Sequence, residues 1–195
     1  MSIGRPPTTS REEIEAVALD LFATRGFEAT TVDDVAAAVG VGRRTLFRYF
    51  ESKNDIVWGD FGQVMERLRA ALDDGADLTL MDALRVGVVE SNGYPPEQLP
   101  GLRTRMTLIT RTPALQAHSA LRYAEWRSVV AEWAAARLGA TAVDLAPQVI
   151  AHAALGAAMA SFARWVDHPD EDLYELLDAA FGALASGFAD SVAGR

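Results

Sequence analysis

The chain has 195 residues, half of them apolar, no cysteine, and 27 acidic against 18 basic side chains for a formal net charge of -9. That length and apolar content exclude disorder and predict a globular chain of one or two domains with a sizeable core, while the lack of cysteine excludes disulfides, thiolate metal sites and a cysteine nucleophile and suits a reducing cytoplasm. The acidity is uneven: residues 1–53 carry 7 Lys/Arg and 8 Asp/Glu, the rest 11 and 19, so only an oriented N-terminal patch could meet a polyanion.

Residues 1–9 read as an arm in which Pro6 and Pro7 prevent helix, and they lack the apolar core of a signal peptide. Arg5 on this arm could reach a DNA minor groove, and a disordered tail would read the same. Ser10-Arg11-Glu12-Glu13 is a capping box, and Ile14, Val17, Ala18, Leu21 and Phe22 follow at helical spacing. That helix stops at Gly26, with Phe27 expected to pack back on it.

Thr31 is a good N-cap for a second helix, with Asp33 and Asp34 favouring its positive end and Val32, Val35, Ala36 and Val39 giving one apolar face. Gly40 can take the left-handed conformation that ends it. In the helix expected next, Leu46 and Phe50 face inward with Val41, whereas Arg44 with Arg48 and Thr45 with Tyr49 form two polar stripes. From Val39 to Lys53 the charges are Arg43, Arg44, Arg48 and Lys53 against Glu51 alone. A basic, hydroxyl-bearing front on an acidic chain suits a helix in the DNA major groove, where Arg pairs with guanine and Thr meets a base edge. Tyr49, Lys53 and the amides behind Thr31 are candidates for phosphate contacts. A helical hairpin with a solvated outer face would share this pattern. A nucleotide-cradling loop at Gly40–Thr45 would instead need a preceding strand, and an alanine-rich helix stands there.

Gly26-Phe27, Thr31-Val32, Gly40-Val41 and Thr45 to Phe50 together resemble the DNA-binding domain of the tetracycline-repressor (TetR) family. The resemblance implies a three-helix N-terminal helix-turn-helix domain whose DNA-binding residues are Arg5, Thr31, Arg43, Arg44, Thr45, Phe47, Arg48, Tyr49 and Lys53. Phe47 departs from the family's usual tyrosine and offers only apolar contact.

A second capping signal, Ser52 with Asp55, predicts a long helix to about Asp74, a lever running from Lys53 into the body. From Leu80 the pattern is helical throughout, with breaks near Gly93–Pro96, Thr112-Pro113, Gly139 and His168-Pro169, and Thr112-Pro113 opens a helix to about Leu138. Residues 145–163 carry no charge and have the length to be weighed as a membrane span. Pro147, Gln148, His152, Ser161 and the many alanines argue instead for a buried interface helix. With a last helix over about Glu171–Val192 it would form a four-helix bundle across a two-fold axis, through Leu155, Met159, Phe162, Leu177, Phe181, Leu184 and Phe188.

Enzyme chemistry finds no support: the three histidines lack metal-site spacing and no G-x-S-x-G elbow is present, so no catalytic residue, metal or cofactor is expected. Arg103, Arg105, Arg111, Arg122 and Arg127, with Glu125 the one acid among them, suit an anionic head group or a solvated face with interface ion pairs, and Tyr123, Trp126, Val130 and Trp133 could line an apolar cavity or be plain core. Ser10–Phe61 and Pro100–Trp133 resemble the mycofactocin-system regulator branch of the family, which implies a long-chain acyl-CoA effector.

The expectation is an all-α, cytoplasmic, homodimeric regulator, with a helix-turn-helix domain and its arm at 1–53 and a larger helical-bundle ligand-binding and dimerisation domain at 54–195. Its partners would be double-stranded operator DNA and a small-molecule effector, with no membrane. The competing readings are a helical-bundle enzyme and a ligand-binding protein without DNA.

Overall fold

The computed structural model describes residues 9–187, which form helices and no strand. Arg5 and Phe188 lie outside the described residues. The chain divides into two compact units, one reaching to Gly59 and joined by Pro100–Gln116, the other made of Asp60–Leu99 and the chain from Ala117 onward. The first unit is therefore larger than the expected 1–53 and takes in a distant segment.

In the first unit, α1 (Arg11–Arg25) is capped by Ser10, whose hydroxyl accepts from the Glu13 N–H at 3.1 Å, and buries Ile14, Ala18 and Phe22. Phe27 packs edge-on against Phe22, ring centroids 5.0 Å apart. Helix α2 (Val32–Val39) begins in a full capping box and ends at Gly40, whose φ of 77° is left-handed. A short α3 (Arg43–Leu46) follows. The helix expected to run to Phe50 instead tightens after Leu46, with Arg48 and Tyr49 N–H groups bonding the carbonyls of Thr45 and Leu46, an i to i+3 pattern at a helix end. Leu46 and Phe50 remain buried, as the apolar spacing requires.

Helix α4 (Lys53–Trp58) is capped by Ser52. The long helix to Asp74 is not formed: Gly59, at φ 61° and ψ -146°, ends α4, and Asp60 caps a separate α5 (Phe61–Asp74) by accepting from the Gln63 N–H at 3.0 Å. A side chain is disfavoured at that backbone conformation, and the Gly-Asp pair is a stop followed by an N-cap. The division between the units falls at this break.

Residues 100–116 bring most of α7 (Leu99–Arg111) into the first unit. Arg105 Nη2 pairs with Glu15 Oε2 at 2.8 Å, and Arg105 Nη1 donates to the Val57 carbonyl at 2.6 Å. Arg11 Nε meets the other Glu15 oxygen at 3.3 Å, while its Nη atoms donate to the Tyr49 and Gly59 carbonyls at 2.9 and 3.2 Å.

The second unit contains α5, α6 (Leu80–Ser91), most of α8 (Pro113–Leu138), α9 (Leu145–Asp167) and α10 (Leu173–Ala185). Met65, Leu68 and Leu72 of α5, Leu84 and Val88 of α6, Val130 and Ala134 of α8, Ala154 and Trp165 of α9, and Leu177 and Phe181 of α10 are buried. Arg137 donates to the Gly75 carbonyl at 3.0 Å and Trp133 Nε1 to the Leu72 carbonyl at 3.1 Å, satisfying acceptors at the end of α5.

A Cβ at Gly59 would lie 2.3 Å from Arg105 Nη1 and 2.7 Å from Glu15 Oε2. Gly59→Ala should therefore destabilise the first unit by about 2–4 kcal/mol through backbone strain and a displaced ion pair. Gly62→Ala, where the added Cβ meets only Asp60 Oδ1 at 3.4 Å, should be neutral or stabilise by up to about 1 kcal/mol. Urea unfolding of both variants checks the contrast; equal behaviour would remove Gly59 as a required break.

Candidate functional site

The α2–turn–α3 region is set by its capping chemistry. The Thr31 hydroxyl accepts from the Asp34 N–H at 3.1 Å, and Asp34 Oδ2 accepts from the Thr31 N–H at 2.8 Å and the Thr31 hydroxyl at 2.6 Å. These bonds hold the Asp34 carboxyl below the usual carboxylate range, the hydroxyl bond first and the backbone bond second, with Arg25 adding a smaller Coulombic pull. The carbonyls of Ala36 and Ala37 are closed by the Gly40 N–H, and Thr30, fully buried, donates to the Gly26 carbonyl at 2.9 Å. The turn and both helices are thus fixed before any partner arrives.

The candidate DNA residues fall into two groups. Arg44, Phe47 and Arg48 are exposed, Phe47 by 40%, and no carboxylate pairs with Arg44 or Arg48 among the described residues. Thr45 is half-buried beside them. Arg43 is also exposed, with Nη1 3.0 Å from Asp33 Oδ2 and its guanidinium 5.4 Å from the Phe47 ring. A pair so open to solvent is weak and can be exchanged for a phosphate.

The second group is tied into the unit itself. Tyr49 donates its hydroxyl hydrogen to the Thr9 carbonyl at 2.8 Å. Lys53 Nζ donates to the Phe27 and Thr30 carbonyls at 2.8 and 3.1 Å and lies 4.1 Å from the Phe27 ring centroid. Thr31 is committed to its capping box. Tyr49 and Lys53, expected at phosphates, anchor the start of α1 and the α1–α2 corner, and Thr31 caps the start of α2 as expected. Arg11 and Glu15, which brace the end of the recognition segment, were not legible as functional residues; their signal is only that both lie on the α1 face that carries Ala18 and Phe22.

The candidate ligand residues are also divided. Arg103, Arg105 and Arg111 belong to the first unit and Arg122, Tyr123, Trp126, Arg127, Val130 and Trp133 to the second. Arg105 is committed to Glu15 and Val57, Val130 is fully buried core, and Trp133 holds the α5 terminus. Arg122 lies 3.7 Å from Glu125 and 5.4 Å from the Phe61 ring. Tyr123 is half-buried, and burial pushes its phenol above the usual value against the opposing bond from Ser119. Trp126 and Arg127 are half-buried, and Arg127 meets no carboxylate among the described residues.

Of the interface candidates, Leu177 and Phe181 have no exposed surface and serve the core of their own subunit. Leu155, Met159, Phe162 and Leu184 are half-buried. The open side of α9 is the row Leu145, Val149, His152, Gly156, Ala160 and Ala163, at helical spacing. His152 Nδ1 lies 2.8 Å from the Gln148 carbonyl, which can only accept, so Nδ1 carries the hydrogen and Nε2 is left as acceptor. Helix α9 is long and apolar enough to cross a membrane by length and composition, with 28% of its most apolar window buried in the subunit.

Comparison with known proteins bears on both units. Residues 14–57 match the family model of bacterial regulatory proteins of the tetR family, and residues 78–189 match the MftR C-terminal domain. The chain is 40% identical over 95% of its length, and 94% of the relative's, to a Mycobacterium tuberculosis protein described as a mycofactocin biosynthesis transcriptional regulator, MftR. It is 30% identical to the transcriptional regulator TcmR of Streptomyces glaucescens over 88% of this chain and 79% of the relative. Similar folds include FadR of Bacillus subtilis in complex with stearoyl-CoA (TM-score 0.63, 21% identity, 91% of this chain and 99% of that one). FadR of Thermus thermophilus in complex with lauroyl-CoA is another (TM-score 0.59, 22% identity, 91% and 94%).

Because the Asp34 carboxyl is held below its ordinary value of 3.8, its contribution to stability is complete above that value and is lost as pH falls through the depressed one. The wild type should exceed Asp34→Asn in stability at neutral pH, and the gap should close in that acid window. Urea midpoints of both proteins from pH 7 to pH 2 test this; a gap independent of pH would show that the charge is not what holds the box.

Proposed function

Since this chain belongs to the tetR family of bacterial regulatory proteins, a family of transcriptional regulators, we propose that it is a homodimeric, cytoplasmic, sequence-specific repressor that an amphipathic anionic ligand releases from its operator. One observation carries the DNA reading. On a segment whose turn and caps are internally fixed, Arg44 and Arg48 stand exposed and pair with no carboxylate among the described residues, beside Phe47 and Thr45. Arg44 reads a guanine and Arg48 or Arg43 a neighbouring base or phosphate, while Phe47 touches a thymine methyl. Lys53, Tyr49 and Thr31 act first as braces, each retaining at most spare hydrogen-bonding capacity for a phosphate.

Two copies would pair through the open row of α9 with Leu155, Met159, Phe162 and Leu184, where Gly156, Ala160 and Ala163 allow close helix approach. A two-fold dimer then requires a palindromic operator whose half-sites are about one helical turn, or a multiple of it, apart. No catalytic role is proposed, and no membrane is needed for α9.

The first candidate effector is a long-chain acyl-CoA. Support comes from the acyl-CoA complexes of the two FadR proteins of similar fold and from Tyr123, Trp126 and Arg127 on one side of α8. The ligand must bind the operator-incompetent state more tightly, since equal affinity for both states shifts nothing.

A gel shift with the DNA upstream of the protein's own gene should give one discrete complex that weakens steeply with salt. Arg44→Ala should cost about 1–3 kcal/mol and relax preference at one base position; a loss equal across all sequences would make Arg44 a phosphate contact. Acyl-CoA should lower operator affinity roughly 5–150-fold, and operator DNA should weaken acyl-CoA binding by the same factor. No release at any chain length, or equal release by a neutral detergent, would remove the acyl-CoA reading and leave the DNA reading intact.

A further inference from the structure

In the second unit Arg67 of α5 is a half-buried cation in an unusual setting. Its Nη2 donates to the Tyr94 hydroxyl at 2.8 Å and its guanidinium carbon lies 4.7 Å from the Tyr94 ring centroid. Its Nε is buried and has no hydrogen-bond partner, and no carboxylate pairs with it among the described residues. In a chain of net charge -9, counter-ions are abundant, yet among the described residues this guanidinium meets a neutral phenol and its aromatic face and no carboxylate. The Tyr94 side is fixed as well. The Tyr174 hydroxyl accepts from the Tyr94 N–H and donates to the Tyr94 carbonyl, both at 2.9 Å, so α10 pins the backbone that presents the phenol.

A half-buried guanidinium whose Nε–H is buried without a partner carries a desolvation cost that an anionic oxygen would relieve. Arginine is also the side chain best shaped to take a carboxylate or phosphate with two donors at once. Sequence reading placed the anion site on the arginines of segment 103–127. Arg105 is already neutralised by Glu15, and Arg122 lies beside Glu125. Arg67 is not.

We propose that Arg67, oriented by Tyr94 and backed by Tyr174, is the recognition point for the anionic oxygen of the effector, either a carboxylate or a phosphate group. The proposal rests on the effector reading above and adds the residue that discriminates charged from neutral amphipaths. The planar guanidinium offers Nε–H and the Nη2 hydrogen on the same side to the two oxygens, while the other Nη2 hydrogen stays with the Tyr94 hydroxyl.

The test uses the full chain and four probes: palmitate, palmitoyl-CoA, coenzyme A alone and the uncharged methyl palmitate. Binding is followed by calorimetry for the wild type, Arg67→Met, Arg67→Lys and Tyr94→Phe. Arg67→Met should weaken the anionic probe that reaches the site roughly tenfold to a hundredfold and leave methyl palmitate within twofold. Arg67→Lys, which keeps the charge but lacks the fork, should recover only part of that loss. Tyr94→Phe should weaken the same probe severalfold. A loss for palmitate identifies the carboxylate as the bound group; a loss for palmitoyl-CoA together with coenzyme A identifies the phosphates. The ligand-free Arg67→Met protein should melt at or above the wild-type temperature, because a stranded charge has been removed. A lowered melting temperature with equal losses for charged and neutral probes would make Arg67 a structural residue and overturn the proposal. Wild-type affinity for the anionic probes retained in Arg67→Met would overturn it too while leaving the effector reading standing, whereas a wild type that binds no amphipath removes both.

Discussion

The Glu15 carboxylate is shared by two arginines from different parts of the chain, Arg11 on its own helix and Arg105 from α7. Each arginine then reaches past it to main-chain carbonyls: Arg11 to Tyr49 and Gly59, Arg105 to Val57. Four segments of the first unit are joined at this carboxylate, and the end of the recognition segment is one of them. The three side chains are mostly withdrawn from water, so removal of Glu15 would leave two under-compensated cations facing each other, a change of several kcal/mol in such a setting. Arg11 also lies 4.5 Å from the Phe50 ring, which couples the ion network to the packing that seats Leu46 and Phe50. The position of Arg44 and Arg48 at the surface depends on this arrangement, although neither touches it.

Cations in the first unit therefore work in two ways. Arg11, Arg105 and Lys53 satisfy carbonyls at helix and turn ends, where the chain's own acceptors would otherwise be orphaned. Arg44 and Arg48 pair with no carboxylate among the described residues, so their charge remains available. Against an acidic remainder this division favours discrimination over strength: few phosphates can be neutralised, non-specific affinity stays low, and base contacts make a larger share of the difference between sites.

Helix type and order were legible from periodicity, and the caps at Ser10, Thr31 and Ser52 or breaks at Gly40 and Gly139 follow from local chemistry that needs no tertiary knowledge. Gly59-Asp60 carried the same kind of signal, but the apolar row from Ile56 to Leu72 continues across it at helical spacing and hides the break. Side-chain commitments were the less legible part. Lys53 and Arg105 look like surface cations in sequence because nothing local shows that Phe27, Thr30, Glu15 and Val57 will be brought to them. Leu177 and Phe181 share a helix with Leu184, and only packing against the rest of the second unit decides that two are core and one stays half open. Arg67 was concealed for the same reason, since its partner Tyr94 lies beyond α6 and is positioned by Tyr174 from near the chain's end.

Helix α9 shows how one composition can satisfy several descriptions until its exposure is known. Its buried side consists of Ala151, Ala154, Ala158, Ser161 and Trp165, with the Ser161 hydroxyl donating to the Ala157 and Leu176 carbonyls. The opposite side, from Leu145 at 79% and Val149 at 56% exposure through Gly156 to Ala163, has no charge until Arg164. A lipid-facing helix would gain most from large side chains all round, whereas this row narrows to Gly and Ala midway, which lowers its hydrophobic area but lets another backbone approach. A polar His152 with one ring nitrogen already bonded to its own helix is tolerable at a protein interface, where Nε2 can find a donor, and costly in hydrocarbon. Small residues and an apolar row interrupted by His152 together support the proposed second copy of the chain as the surface that covers α9. In the proposed dimer the same two-fold would give the two sets of Arg44 and Arg48 the symmetry that a palindromic operator demands.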